Sequence, residues 1–172
     1  MEKVRRFKFL RDGLRSDYNG YQWEIGVWQK TECKELCHGF NCSRRIVDAM
    51  QYVSGEILAE VEVRGKHFDD KDKSTHAEMR IIKALKWTKA DSVSLAIYAA
   101  RLVLDVYESA YPGDDRPRIA IEAAERWLAD PSVENQAAAR AAWDAAGAAG
   151  DAAEAAIESY LLSRLDQMEE WA

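Results

Sequence analysis

Apolar and polar positions alternate along Arg6-Phe7-Lys8-Phe9-Leu10, the two-residue period of a half-buried strand. Asn19-Gly20 is a strong turn signal, and Tyr21 to Trp28 follows with aromatic and β-branched residues at alternate positions. Ile57-Leu58-Ala59-Glu60-Val61-Glu62-Val63 alternates again and stops at Arg64-Gly65. Between these strands lies one helix, with Ser43 as its N-cap and Ile46, Met50 and Val53 on one face. The run Glu78 to Leu85 reads two ways. Thr75-His76-Ala77-Glu78 has the form of a capping box opening a helix, while the run itself suits a final strand, the preferred reading.

After residue 90 the period changes to that of helices. Asp91 caps a helix through Leu104 to about Ser109, with Leu95, Ala99, Leu102 and Val106 on its apolar face. Tyr111-Pro112-Gly113-Asp114-Asp115 breaks it. Asp115 caps the next helix, Pro117 fits its first turn, and Ile121, Ala124 and Leu128 lie along it before Asp130-Pro131. A third helix starts near Ser132 and is interrupted from Gly147 to Gly150. Asp151-Ala152-Ala153-Glu154 opens a fourth, with Ile157, Leu161, Leu165 and Met168 as its apolar positions. Residues 133–156 hold 13 alanines, which favours helix over a low-complexity linker, and small side chains suit closely approaching axes. The expected architecture is α+β: a small mixed N-terminal sheet with one helix, then an all-α C-terminal bundle of about four helices. The expected domains are 1–90 and 91–172, packed together because no Gly/Ser/Pro linker separates them.

Charge sharpens this division. Of 24 basic and 30 acidic residues, 18 and 14 fall in residues 1–90, a net of +4, leaving 6 and 16 in residues 91–172, a net of -10. No apolar run approaches the ~18 residues of a membrane span. Met1 to Phe7 lacks the apolar core of a signal peptide. The three cysteines are an odd number clustered between Cys33 and Cys42, which fits a reduced, cytoplasmic chain rather than a disulfide scaffold.

The candidate chemistry is sparse. Cys33, Cys37, His38 and Cys42 are the ligand types tetrahedral zinc prefers. Their spacing lacks paired CxxC knuckles, so small buried residues beside a turn at His38-Gly39-Phe40 is the preferred reading, and no metal or cofactor is expected. His76-Ala77-Glu78 resembles the histidine–glutamate triplet of zinc deaminases, but no cysteine follows Cys42 to complete that site. Gly-rich phosphate loops, Gly-x-Ser-x-Gly and His-Glu-x-x-His are all missing. The run Asp69-Asp70-Lys71-Asp72-Lys73 suits a solvated hairpin loop rather than an EF-hand. Arg5, Arg6, Lys8, Arg11 and Arg15 form a basic cluster. The exposed face of an edge strand explains it without nucleic acid, and none is expected as a partner.

Two stretches carry resemblances. Gly39-Phe40-x-Cys42, followed by a helix and Glu60-Val61-Glu62-Val63, resembles a small α+β domain of unknown function found in phages and prophages, with the cysteine one residue early. Ala99-Ala100-Arg101, Tyr111 to Arg118 and Ile121 to Trp127 resemble the helical immunity domain of bacterial polymorphic toxin systems. These resemblances imply a phage or bacterial cytoplasmic protein that acts by binding, and they bring no catalytic residue. The leading expectation is therefore a non-enzymatic inhibitor of a toxin or a host defence complex. Asp114, Asp115, Arg116, Glu122, Glu125, Asp144, Glu154 and Glu158 are its candidate contacts with a basic protein partner. The alternatives are a metal-dependent or nucleotide-using enzyme on the N-terminal sheet, and a phage structural or scaffolding role.

Overall fold

The computed structural model describes residues 5–53, 55–131 and 151–171. Two compact units divide the chain: Met1–Trp87 with Leu162–Ala172, and Thr88–Leu161.

The first unit is built on a five-stranded antiparallel sheet. Its strands are β1 Arg6–Leu10, β2 Gln29–Lys30, β3 Phe40–Cys42, β4 Ile57–Asp69 and β5 Ser74–Lys86. The order is β1-β4-β5-β2, with β3 also on β5. The preferred strand reading of residues 78–85 holds, and the capping box at Thr75 does not form. β4 and β5 are one long hairpin, closed where Asp70 N donates to Lys73 O at 2.8 Å, so the acidic run is the expected loop. β4 continues past Gly65 instead of stopping there. A bulge between Arg64 and His67, with Gly65 at φ 80, absorbs the extra residue and lets pairing resume at His67.

One core cluster joins Leu10, Trp23, Phe40, Cys42, Ile57, Ala59, Val61, Met79 and Ile81. The alternation over Tyr21–Trp28 is used for packing rather than for a full strand. Trp23 lies between Tyr21 and Phe40, with ring centroids 5.2 and 4.7 Å away, and β2 begins only at Gln29. The helix in this unit, α1 Ile46–Met50, is short, and its N-cap is Arg45 rather than Ser43. Ser43 is buried and exchanges backbone hydrogen bonds with Phe7, both at 2.9 Å.

The second unit contains α2 Lys89–Ala110 and α3 Arg116–Ala129. Thr88, not Asp91, is the N-cap of α2: its hydroxyl accepts from Asp91 N at 3.2 Å, and Asp91 Oδ2 accepts from Thr88 N at 2.9 Å. The buried stripe is Val93, Ile97, Ala100 and Leu104, which meets Ile121, Ala124 and Trp127 of α3. Leu95 and Ala99 of the expected stripe are buried, but Leu102 and Val106 are exposed. From Leu95 to Leu104 α2 is apolar on most sides, so the sequence period alone does not fix which line is buried beyond Ala99.

The expected architecture is therefore corrected at both ends. The N-terminal sheet is antiparallel in every strand pair, not mixed; Ile25 and Ile81 form one parallel bridge outside the strands. The second half is not an all-α bundle of about four helices. After α4 Asp151–Arg164 and a 3₁₀ turn at Leu165–Gln167, the chain becomes extended and pairs with β5 through a bridge from Glu170 to Leu85. Trp171 packs on the sheet core. Met168 follows the apolar period of a helix, but the exposed backbone edge of β5 and the open side of its core supply a stronger partner for the residues after it. The expected third helix, from Ser132 to Gly147, lies outside the described residues.

Gly55 occupies a position with no room for a side chain. A β-carbon there would lie 2.3 Å from the Leu10 carbonyl oxygen, a backbone atom that cannot swing aside. Gly55→Ala is expected to destabilise the sheet unit by roughly 2 kcal/mol or more, read as a lowered urea midpoint.

Candidate functional site

The most concentrated chemistry of the sheet unit lies along β3 and the adjoining ends of β4 and β5. Thr75, fully buried on β5, organises the cysteine loop. Its hydroxyl accepts from Cys37 N at 2.8 Å and donates to Asn41 Oδ1 at 2.5 Å, while its carbonyl accepts from Cys33 Sγ at 3.7 Å. Cys33 and Cys42 are buried, Cys37 is exposed at φ 66, and His38 is exposed in the turn. Cys33, Cys37, His38 and Cys42 thus do not converge. Among the described residues, no three His, Cys, Asp or Glu side chains form a group able to hold a metal.

Cys42 instead starts a different chain of contacts. Its sulfur lies 3.6 Å from Ser74 Oγ, which lies 2.8 Å from His76 Nε2. The His76 ring stacks on His67 at 5.4 Å, and His67 Nε2 lies 3.4 Å from Asp69. Lys8, expected on an exposed face, is turned inward and donates to Asn41 O at 3.1 Å. Burial pushes its pKa below the usual lysine value and pushes the Cys42 thiol up. Burial also lowers His76 to about 4, with His67 and Arg6 adding to the shift. The imidazole is therefore neutral near pH 7.

A serine hydroxyl 2.8 Å from an imidazole nitrogen has the spacing of a nucleophile and its base. Ser74 is only 1% exposed and His76 4%, so no carbonyl can reach the hydroxyl at an attack distance of about 3 Å. The arrangement serves as a buried polar network in which each group finds a partner. The separate His76-Ala77-Glu78 reading also dissolves. Glu78 is tied to Arg64 at 2.7 Å and Lys30 at 3.5 Å, away from any metal-ligand set.

A second polar surface was invisible to sequence reasoning. The guanidinium groups of Arg64 and Arg80 lie 3.9 and 4.9 Å from the centre of the Trp28 ring, and Arg80 Nε also donates to Glu62 at 2.7 Å. Strand pairing sets Glu62 opposite Arg80 and Arg64 opposite Glu78, and Trp28, the residue before β2, meets both arginines. The one sequence signal was the charge on alternate positions of β4 and β5.

In the helical unit, the candidate contact residues differ in pairing and in exposure. Asp114 accepts from Arg116 Nε at 2.8 Å, from the Tyr107 hydroxyl at 2.8 Å and from Arg116 N at 3.2 Å. The Arg116 guanidinium, then Tyr107, hold its carboxyl well below the usual carboxylate range. Asp115, the N-cap of α3, makes no side-chain cap bond. Arg118 pairs with Glu108, and Arg101 with Glu125. Glu122 is exposed and Glu158 is buried. Asp144 and the side chain of Glu154 lie outside the described residues.

The unfolded chain protonates His76 near the ordinary 6.5, whereas the folded chain resists until about 4, so stability is lost as pH falls through that window. Urea denaturation should show a loss of about 2 kcal/mol from this group between about pH 7 and pH 5, and His76→Gln should flatten that slope. Asp114→Ala should lower the melting temperature by a few degrees, because it removes both the N-terminal acceptor of α3 and the link to Tyr107. Asp115→Ala should leave it nearly unchanged.

No curated protein and no solved structure matches the chain. One family model does: a domain of unknown function, DUF7666, over residues 4–92. That span contains all five strands, the buried network around Ser74 and the first turn of α2. It also covers more than half of the 172 residues, so the chain belongs to the DUF7666 family.

Proposed function

We propose that the protein is a non-enzymatic binding protein whose acidic helical segment docks a basic protein partner. The observation that carries this reading is the disposition of charge. Residues 91–172 hold a net charge of -10, although Glu169 and Glu170 follow the helices and pair with Lys86 and Lys83. Three of their arginines, Arg101, Arg116 and Arg118, are already committed to Glu125, Asp114 and Glu108. Asp105, Asp115 and Glu122 stay exposed on α2 and α3 and supply outward negative charge. Such a field attracts a basic surface over a Debye length of about 8–10 Å and raises the association rate. The Ala99–Arg101 and Tyr111–Trp127 resemblance to toxin-immunity domains supports an inhibitor, acting in the cytoplasm on a toxin or a host defence complex. The Gly39–Val63 resemblance supports a phage or prophage source. No helix among the described residues is long and apolar enough to cross a membrane.

The test begins with capture from bacterial lysate, identification of the bound protein and measurement of its association rate. Association should slow markedly as salt rises, with dissociation changing less. Asp105→Lys, Asp115→Lys and Glu122→Lys together should slow association, while Lys71→Glu with Lys73→Glu should not. A rate indifferent to both salt and these reversals refutes the electrostatic reading.

A further inference from the structure

The edge of β5 at Ala84–Lys86 is filled by residues from far along the chain. Lys86 N donates to Glu169 O at 2.8 Å, and Trp171 N donates to Ala84 O at 3.0 Å. Lys83 pairs with Glu170 at 3.5 Å, and Lys86 with Glu169. Trp171 covers the sheet core. The glutamate side chains remain mostly exposed, at 73% for Glu169 and 71% for Glu170. None of these three residues lies in the family domain, which spans residues 4–92.

The geometry points to a strand-addition site on β5, for which Glu169–Trp171 is a resident and exchangeable occupant. Its external ligand is an extended segment of a partner protein carrying two adjacent carboxylates followed by an aromatic residue. Three features define that chemistry. The backbone groups of Ala84 and Lys86 accept from Trp171 and donate to Glu169 in the manner of an added strand. Lys83 and Lys86 stand ready for two carboxylates. The place held by Trp171 takes an aromatic ring against the core. The resident segment is held by two backbone hydrogen bonds, two solvent-exposed ion pairs and the half-buried Trp171 ring, each a modest contact singly. Local release of such a segment needs no disruption of the β4–β5 ladder. This site uses residues of the sheet unit and none of Asp105, Asp115 or Glu122, so it and the proposed function can fail independently.

The test uses the full chain and a fluorescent peptide of the sequence Asp-Gln-Met-Glu-Glu-Trp-Ala, that of residues 166–172. Resident occupancy lowers apparent affinity, so Glu169→Lys, Glu170→Lys and Trp171→Ala combined should bind the peptide about tenfold more tightly than the unaltered chain, read by anisotropy. Adding Lys83→Glu and Lys86→Glu should abolish that binding. A folded triple variant with no gain, or binding that survives the lysine reversals, overturns the proposal. Hydrogen exchange on the unaltered chain gives an independent reading. The Lys86 and Trp171 amides should exchange well before the amides linking β4 to β5, and equal protection of both sets overturns the proposal. A concentration-dependent dimer that the peptide cannot dissociate also overturns it, in favour of exchange of this segment between two copies.

Discussion

The sheet unit depends on satisfying both edges of one strand. β5 pairs along one edge with β4, and that ladder runs from Ser74 to Lys86. Its other edge is filled piecewise: β3 at Ser74–His76, β2 at Glu78–Met79, Gly26 at Ile81 and Glu169–Trp171 at Ala84–Lys86. Each piece is too short to be a stable strand alone. Each is held because an unpaired backbone group on a central strand is costly to bury. The aromatic cluster of Tyr21, Trp23 and Phe40 then anchors the loops that deliver two of these pieces.

The polar groups follow the same economy of space. Ser74, Thr75 and His76 are three consecutive buried polar residues in the strand where β3 crosses. Thr75 is met by Cys33, Cys37 and Asn41, Ser74 by Cys42, and His76 by Ser74. The cysteine-rich loop is thus matched to a strand of polar residues rather than to a metal-ligand set. In the helical unit, arginines near the α2–α3 turn meet nearby carboxylates, which leaves a more limited set of outward acids than the sequence count suggests.

The local periods made β1, α2 and α3 legible, whereas Glu78–Leu85 of β5 suited helix and strand alike and its first residues read as a capping box. β4 was visible only to Val63, since the bulge at Gly65 breaks the alternation that marks a strand. β2 and β3 have two and three residues and carry no period at all. Of the candidate contacts, the Asp114–Arg116 cluster was readable because its partners are two residues apart. The Cys42–Ser74–His76 network was not, because thirty-two residues separate its first link. Lys8 was misplaced for a related reason: alternation shows that β1 has two faces but not that both are covered. Trp171 is the extreme case, for its partner strand lies across the whole helical segment.

That last separation also has a temporal meaning. Lys86 and Glu169 are 83 residues apart. At a synthesis rate of about 5–20 residues per second, several seconds or more pass between the emergence of the β5 edge and the arrival of the residues that cover it. If the family domain folds within that interval, it does so with Ala84–Lys86 lacking the partners they have in the complete chain. A nascent chain in this state offers an adhesive strand edge to its neighbours on the same message. The lysines at 83 and 86 place positive charge along that edge, which discourages two such chains from joining there before residue 169 arrives.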